Sequence, residues 1–133
     1  MNNIKTILIT FITIVVVDFI WLGFVAKHLY LKEMGHLMRL HEGNVSPNYL
    51  AATLVYIALV VGILLLVLPN AHTYTEALIK GALFGLIIYA VYDFTNLAIL
   101  ANWPLFISLV DIAWGTTLCG IVSGVAFWAK TNF

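Results

Sequence analysis

Tyr92-Asp93-Phe94-Thr95-Asn96-Leu97-Ala98-Ile99-Leu100-Ala101-Asn102-Trp103-Pro104 closes one long apolar run and opens another, which carries Val110-Asp111-Ile112-Ala113-Trp114-Gly115-Thr116. Only Ala101-Asn102-Trp103 separates the two runs. Pro104 suits the first position of the second helix, because the N–H it lacks would have no partner there. Two runs long enough to cross a bilayer and joined this tightly must form an antiparallel helical hairpin. The hairpin places two carboxylates, an amide and an indole in segments where such groups are costly.

Outward from the hairpin, two more apolar runs lie towards the N-terminus, so the four occupy roughly 4–26, 50–68, 78–100 and 104–128. A bilayer crossing takes about 20 residues. Backbone groups in lipid must be satisfied within the segment, and the runs are continuously apolar rather than alternating. Helices are therefore expected and closed barrels are not. Composition agrees: of 133 residues, 63% are hydrophobic and 9% charged, against about 25% charged in soluble domains. The expected fold is an all-α polytopic membrane protein, a single transmembrane domain over residues 1–133 with four transmembrane helices.

Lys27 to Tyr49 forms the one long loop, 27–49. Leu29, Tyr30, Met34, Leu37 and Met38 recur there at helical spacing among charged residues, which predicts an amphipathic interfacial segment or a continuation of the first spanning helix, ended by Gly43-Asn44 and Ser46-Pro47. His28, His36 and His41 are spaced by eight and five, which does not stack them on one helical face, so solvated side chains are favoured over a metal site. Cys119 stands alone in an apolar run, which leaves no disulfide framework or thiolate cluster. The sequence names no cofactor. The first run is too long for a signal-peptide core, contains Asp18 and lacks a small-x-small cleavage site, so it reads as a retained anchor. Six basic residues balance six acidic ones, which offers no basic face for nucleic acid. Three Lys or Arg fall on either side of the membrane, and the long loop is only weakly favoured as cytoplasmic.

Depth organises the polar residues. Asp18 lies eight residues before the end of the first run, Asp93 seven before the end of the third, and Asp111 seven after the start of the fourth. At 1.5 Å per residue, each carboxylate sits roughly 10–12 Å in from the long-loop edge. Tyr56 reaches that depth from the second run. Each aspartate is followed three residues on by an N–H donor, Trp21, Asn96 or Trp114, on the same helix face. The expected layer is Asp18, Trp21, Tyr56, Tyr92, Asp93, Asn96, Asp111 and Trp114, a ligand-binding or proton-relay site. No Lys or Arg lies at its depth, so three ionised carboxylates there would repel one another without hydration. In the opposite half, Gly81-x-x-x-Gly85 and Gly120-x-x-x-Gly124 predict close packing of the last two helices, with a homodimer open as an alternative use.

The tract from Tyr92 to Pro104 with Val110 to Thr116, together with Asp18-x-x-Trp21-Leu22-Gly23 and Gly81-Ala82-x-Phe84-Gly85, resembles an uncharacterised family of small four-helix bacterial membrane proteins, catalogued as a domain of unknown function. The resemblance covers almost the whole chain and implies the bacterial inner membrane. It implies no reaction, cofactor or ligand. The gene neighbourhoods of relatives favour a lipid-related role only weakly. The leading expectation is binding or movement of a small amphipathic, lipid- or fatty-acid-like ligand in a pocket lined by Asp, Trp and Tyr. Proton- or cation-coupled transport through the aspartates comes next. An accessory subunit or a membrane enzyme of lipid modification follows; with no catalytic motif present, the reading leans away from an enzyme and names no catalytic residue.

Overall fold

The structure, a computed structural model, describes residues 3–133. It contains four helical spans, each long and apolar enough to cross a membrane: Ile4–Val25, Tyr49–Asn70, Tyr74–Ile99 and Leu105–Asn132. The first comprises helix α1 (Ile4–Ile20) and a π-turn at Trp21–Val25. The short α2 (Lys27–Met34) follows, then α3 (Tyr49–Gly62), which runs on through a second π-turn at Ile63–Val67 and a 3₁₀ turn at Leu68–Asn70. Helices α4 (Tyr74–Ile99) and α5 (Leu105–Asn132) make the hairpin. It is longer than expected at its open end, with α4 starting four residues earlier and α5 ending four later. Thr73 explains the early start: its hydroxyl accepts the Glu76 N–H at 3.1 Å and caps the helix. Asn3 and Asn48 cap α1 and α3 in the same way.

Several hydroxyls inside the spans are satisfied within their own helix, while the buried Ser123 Oγ has no hydrogen-bond partner. The hydroxyls of Thr10, Thr13, Thr53, Ser108, Thr116 and Thr117 each donate to the carbonyl four residues earlier. Such bonds suit a solvent that offers none. Large apolar side chains such as Ile12, Leu65, Ile87 and Leu109 stay exposed on the outer faces, as lipid contact requires. The interior is filled by Ile14 of α1, Leu59 and Val60 of α3, and Leu118 and Val122 of α5.

Helices α4 and α5 meet through small residues. A Cβ on Gly81 would stand 2.2 Å from Ser123 Oγ, and one on Gly85 would stand 2.2 Å from the Gly115 carbonyl oxygen. Opposite these two glycines lies the stripe Gly115-Cys119-Ser123. Gly120 and Gly124 pack beside that stripe, towards Ala82 and Leu78. Both glycine pairs therefore lie in this contact, and Cys119 is a buried packing residue. The two chain ends share a side of the bundle, where Asn3 Nδ2 donates to the Phe133 carbonyl at 2.8 Å.

The long loop holds more than an amphipathic helix. After a 3₁₀ turn at Gly35–Leu37, strands β1 (Leu40–His41) and β2 (Asn44–Val45) pair antiparallel, with Leu40 opposite Val45. Glu42 and Gly43 between them take φ of 52° and 78°, the positive values a two-residue hairpin turn demands. Gly43 thus closes a hairpin rather than ending a helix.

Candidate functional site

Asp18, Tyr56, Asp93 and Asp111 meet at one depth because each lies six or seven residues inside its span from the long-loop end, with Trp114 one turn deeper than Asp111. At 1.5 Å per residue that is about 9–11 Å. The layer is divided into two groups joined by a pair of stacked indoles.

The first group is a closed clasp. Asp18 on α1 is only 6% exposed. Its Oδ2 accepts the Tyr56 hydroxyl of α3 at 2.6 Å, and its Oδ1 accepts the Trp114 indole N–H of α5 at 2.8 Å. One carboxylate thereby ties three helices together with two short hydrogen bonds, the charge-assisted kind if it is ionised.

The second group is different. Asp111 Oδ1 accepts the hydroxyl of Tyr30 at 2.8 Å, and the Trp21 indole N–H reaches that hydroxyl at 3.4 Å. Asp93 on α4, 2% exposed, has no such partner: its Oδ2 meets no N–H or O–H donor. The group within hydrogen-bonding reach of its carboxyl is the carboxyl of Asp111. Two carboxyl groups can bond to each other only across a proton. The one ion pair among the described residues, Lys80–Glu76, lies at the other end of α4, so no cation neutralises this pair.

Trp21 and Trp114 stack between the groups, with ring centroids 4.5 Å apart and planes 7° from parallel. Both belong to the lining expected for an amphipathic-ligand pocket, and here their rings lie against each other. What remains beside them is an apolar groove of about 230 Å³ on the outer face, lined by Val17, Ile20, Trp21, Val25 and Trp114.

Spacing misassigned the donors. No aspartate is served by the residue three positions ahead of it: Trp114 serves Asp18, Tyr30 serves Asp111, and Trp21 donates to Tyr30. Side chains at i and i+3 share a face, but a short aspartate projecting from it meets the neighbouring helix first. Tyr92 and Asn96 are not brought into the layer. Tyr92 is 55% exposed, turns its ring edge-on to Trp103 at 5.9 Å, and has Asn96 beside its hydroxyl.

Two tyrosines were missed. Tyr30 was read as part of an interfacial face, yet it is 7% exposed and packs with Ala26 and Ile107. Burial, then the Asp111 charge, holds its hydroxyl well above the ordinary tyrosine range, so it acts as a neutral donor. Tyr89 lays its ring on Gly115, one turn from Asp111. The signal for Tyr30 was its place in the apolar repeat of the loop; that repeat does not distinguish a bundle-facing face from a headgroup-facing one. Among the described residues, no three His, Cys, Asp or Glu side chains converge to hold a metal ion.

A family model described as a predicted membrane protein (DUF2177) matches residues 3–128. No curated protein and no solved structure matches the chain.

Proposed function

The chain belongs to the DUF2177 family of predicted membrane proteins, and on that premise we propose that it binds and releases a proton at the Asp93–Asp111 pair, as the coupling element of a small proton-linked transporter of the bacterial inner membrane. The observation that carries this reading is Asp93: a carboxyl 2% exposed, with no donor for Oδ2 and a second carboxyl as its neighbour. A structural clasp would give each buried oxygen a donor, as Asp18 has. A pair of carboxyl groups without a cation is accommodated when they share one proton, and intramembrane acids in such positions commonly serve proton relays. Four spans are few for a complete pathway, so the working unit in this reading is a homodimer.

Infrared spectroscopy of the protein in lipid nanodiscs tests the proposal. The carbonyl stretch of a protonated carboxylic acid should be present in the wild type, weakened by Asp93→Asn and by Asp111→Asn, and unchanged by Asp18→Asn. In vesicles loaded with a pH dye, the first two substitutions should abolish proton flux. Absence of the protonated-acid band across the titration would refute the reading.

The stacked indoles leave the amphipathic-ligand reading one foothold, the outer groove along Val17, Ile20 and Val25, whose apolar lining suits an acyl chain. A nitroxide-labelled fatty acid that quenches tryptophan fluorescence in the wild type, and less so in Trp21→Phe, would support it.

A further inference from the structure

We infer that α2 is a hinged cover, and that Tyr30 is the latch by which it closes the Asp93–Asp111 pair off from water on the long-loop side; this rests on the proton-binding reading above.

Both ends of α2 are breaks in the helix. On its N-terminal side the chain leaves α1 through the π-turn, where Ala26 N–H bonds back to the Trp21 carbonyl at 2.7 Å. Ala26 itself has φ −110° and ψ 4°, outside the helical well, so the two helices are separate rods meeting at one residue. A single-turn widening of this kind often marks a functional position. On the C-terminal side come Gly35 and then the β-hairpin, both of whose strands are exposed. Over its eight residues α2 has one fully buried side chain, Tyr30.

The attachments of α2 to the bundle are few and unequal. Leu29, Tyr30 and Met34 pack with Ile107 and Val110 near the start of α5. Two hydrogen bonds at 3.4 Å, Trp21 to Tyr30 and His36 Nε2 to the Asn102 carbonyl, lie beyond the usual N–H···O range. The bond of normal length is Tyr30 to Asp111, at 2.8 Å. It ends on the carboxyl that touches Asp93. Rotation about Ala26 that withdraws Tyr30 would strip Asp111 of the one hydroxyl donor it has among the described residues and uncover the pair together. In the closed state Asp93 is buried and Asp111 half-buried, with the neutral tyrosine donor occupying the Asp111 Oδ1. Elements with few buried contacts are those that open first.

Carbodiimides, which add to protonated carboxyl groups, report on both claims when modification of Asp93 is followed by peptide mass spectrometry in nanodiscs, where both faces are accessible. Membrane-soluble dicyclohexylcarbodiimide should label Asp93 in the wild type; no labelling would overturn the proton reading and the cover with it. A water-soluble carbodiimide should label wild-type Asp93 slowly and Tyr30→Phe about three- to tenfold faster, the range expected for losing one hydrogen bond. His36→Ala, which releases the other tether and leaves the latch in place, should give a smaller increase and guards against a folding defect in the tyrosine variant. If dicyclohexylcarbodiimide labels Asp93 while the water-soluble reagent shows equal rates in the wild type and both variants, the pair stands and the cover is refuted.

Discussion

Asp93 and Asp18 are both buried acids of one layer, yet their substitution should have unequal effects on stability. Asp18→Ala removes the acceptor from the Tyr56 hydroxyl at 2.6 Å and from the Trp114 indole at 2.8 Å. Hydrogen bonds between helices in membranes average about 0.6 kcal/mol and reach about 1.7, so losing two should cost about 1–3 kcal/mol. Asp93→Asn keeps the shape of the side chain, removes an ionisable group that has no donor, and offers an amide N–H to Asp111. Where the wild-type pair holds its proton, this N–H only replaces the O–H bond to Asp111 and stability should be nearly unchanged; at a pH where the pair has lost the proton, the gain should be about 0.5–1.5 kcal/mol, one interhelical bond to a carboxylate. Reversible unfolding in mixed micelles with rising dodecyl sulfate measures both variants. Helix content by far-UV circular dichroism is the suitable signal, because tryptophan emission would respond to Trp114 losing its partner. If Asp93→Asn lowers stability by as much as Asp18→Ala, then Asp93 has donors in the working protein, it belongs to the clasp, and the reasoning for a proton site fails.

Trp114→Phe keeps a ring against Trp21 but loses the indole N–H and part of the indole's packing; the hydrogen-bond share, about 0.6–1.7 kcal/mol, should vanish once Asp18 is already Ala while the packing share stays, and a double-mutant cycle reads that coupling. Gly85→Ala would drive a Cβ to 2.2 Å from the Gly115 carbonyl oxygen and 2.7 Å from Cys119 Cβ, so the α4 and α5 backbones must separate. A cost of about 1–3 kcal/mol follows. Gly120→Ala, whose nearest contacts lie at 3.3 Å, should cost less in the same unfolding assay.

The four spans were legible because a long apolar run has one solution in lipid, and the hairpin because Ala101-Asn102-Trp103 cannot bridge anything else. Depth was legible too, since rise per residue converts position into distance, and Asp18, Tyr56, Asp93 and Asp111 do share a level. Azimuth was not. Tyr92 and Asp93 are neighbours in sequence, yet one faces outward and the other inward, and all of α4 is too apolar for its faces to be distinguished by pattern. The hydrogen-bond pairing depended on azimuth, which is why Trp21 and Trp114 were each matched to the wrong acceptor. Of the glycines, Gly81 and Gly85 were found by spacing, while their opposing stripe was hidden because Cys119 and Ser123 stand where a glycine motif would be sought.

The unequal treatment of the three acids follows from how the helices are fastened. Gly81 and Gly85 bring α4 against α5 in the half of the bundle away from the long loop, and Tyr89 over Gly115 extends that fit to within one turn of both Asp93 and Asp111. Eight residues separate Gly85 from Asp93, about 12 Å of helix, too short a lever for the two carboxyl groups to swing apart. The register of the glycine contacts thus brings the two carboxyl groups to one level of the α4–α5 seam. The donors of the layer come from the other helices: Tyr56 from α3 and Trp114 from α5 go to Asp18, and Tyr30 from α2 goes to Asp111. Trp21, the remaining indole beside the layer, is committed to Tyr30. Helix α4 packs chiefly on α5, and what α5 brings within reach of the Asp93 carboxyl is another acid, so the deficit falls on Asp93. A proton is the smallest species that relieves it without moving either backbone.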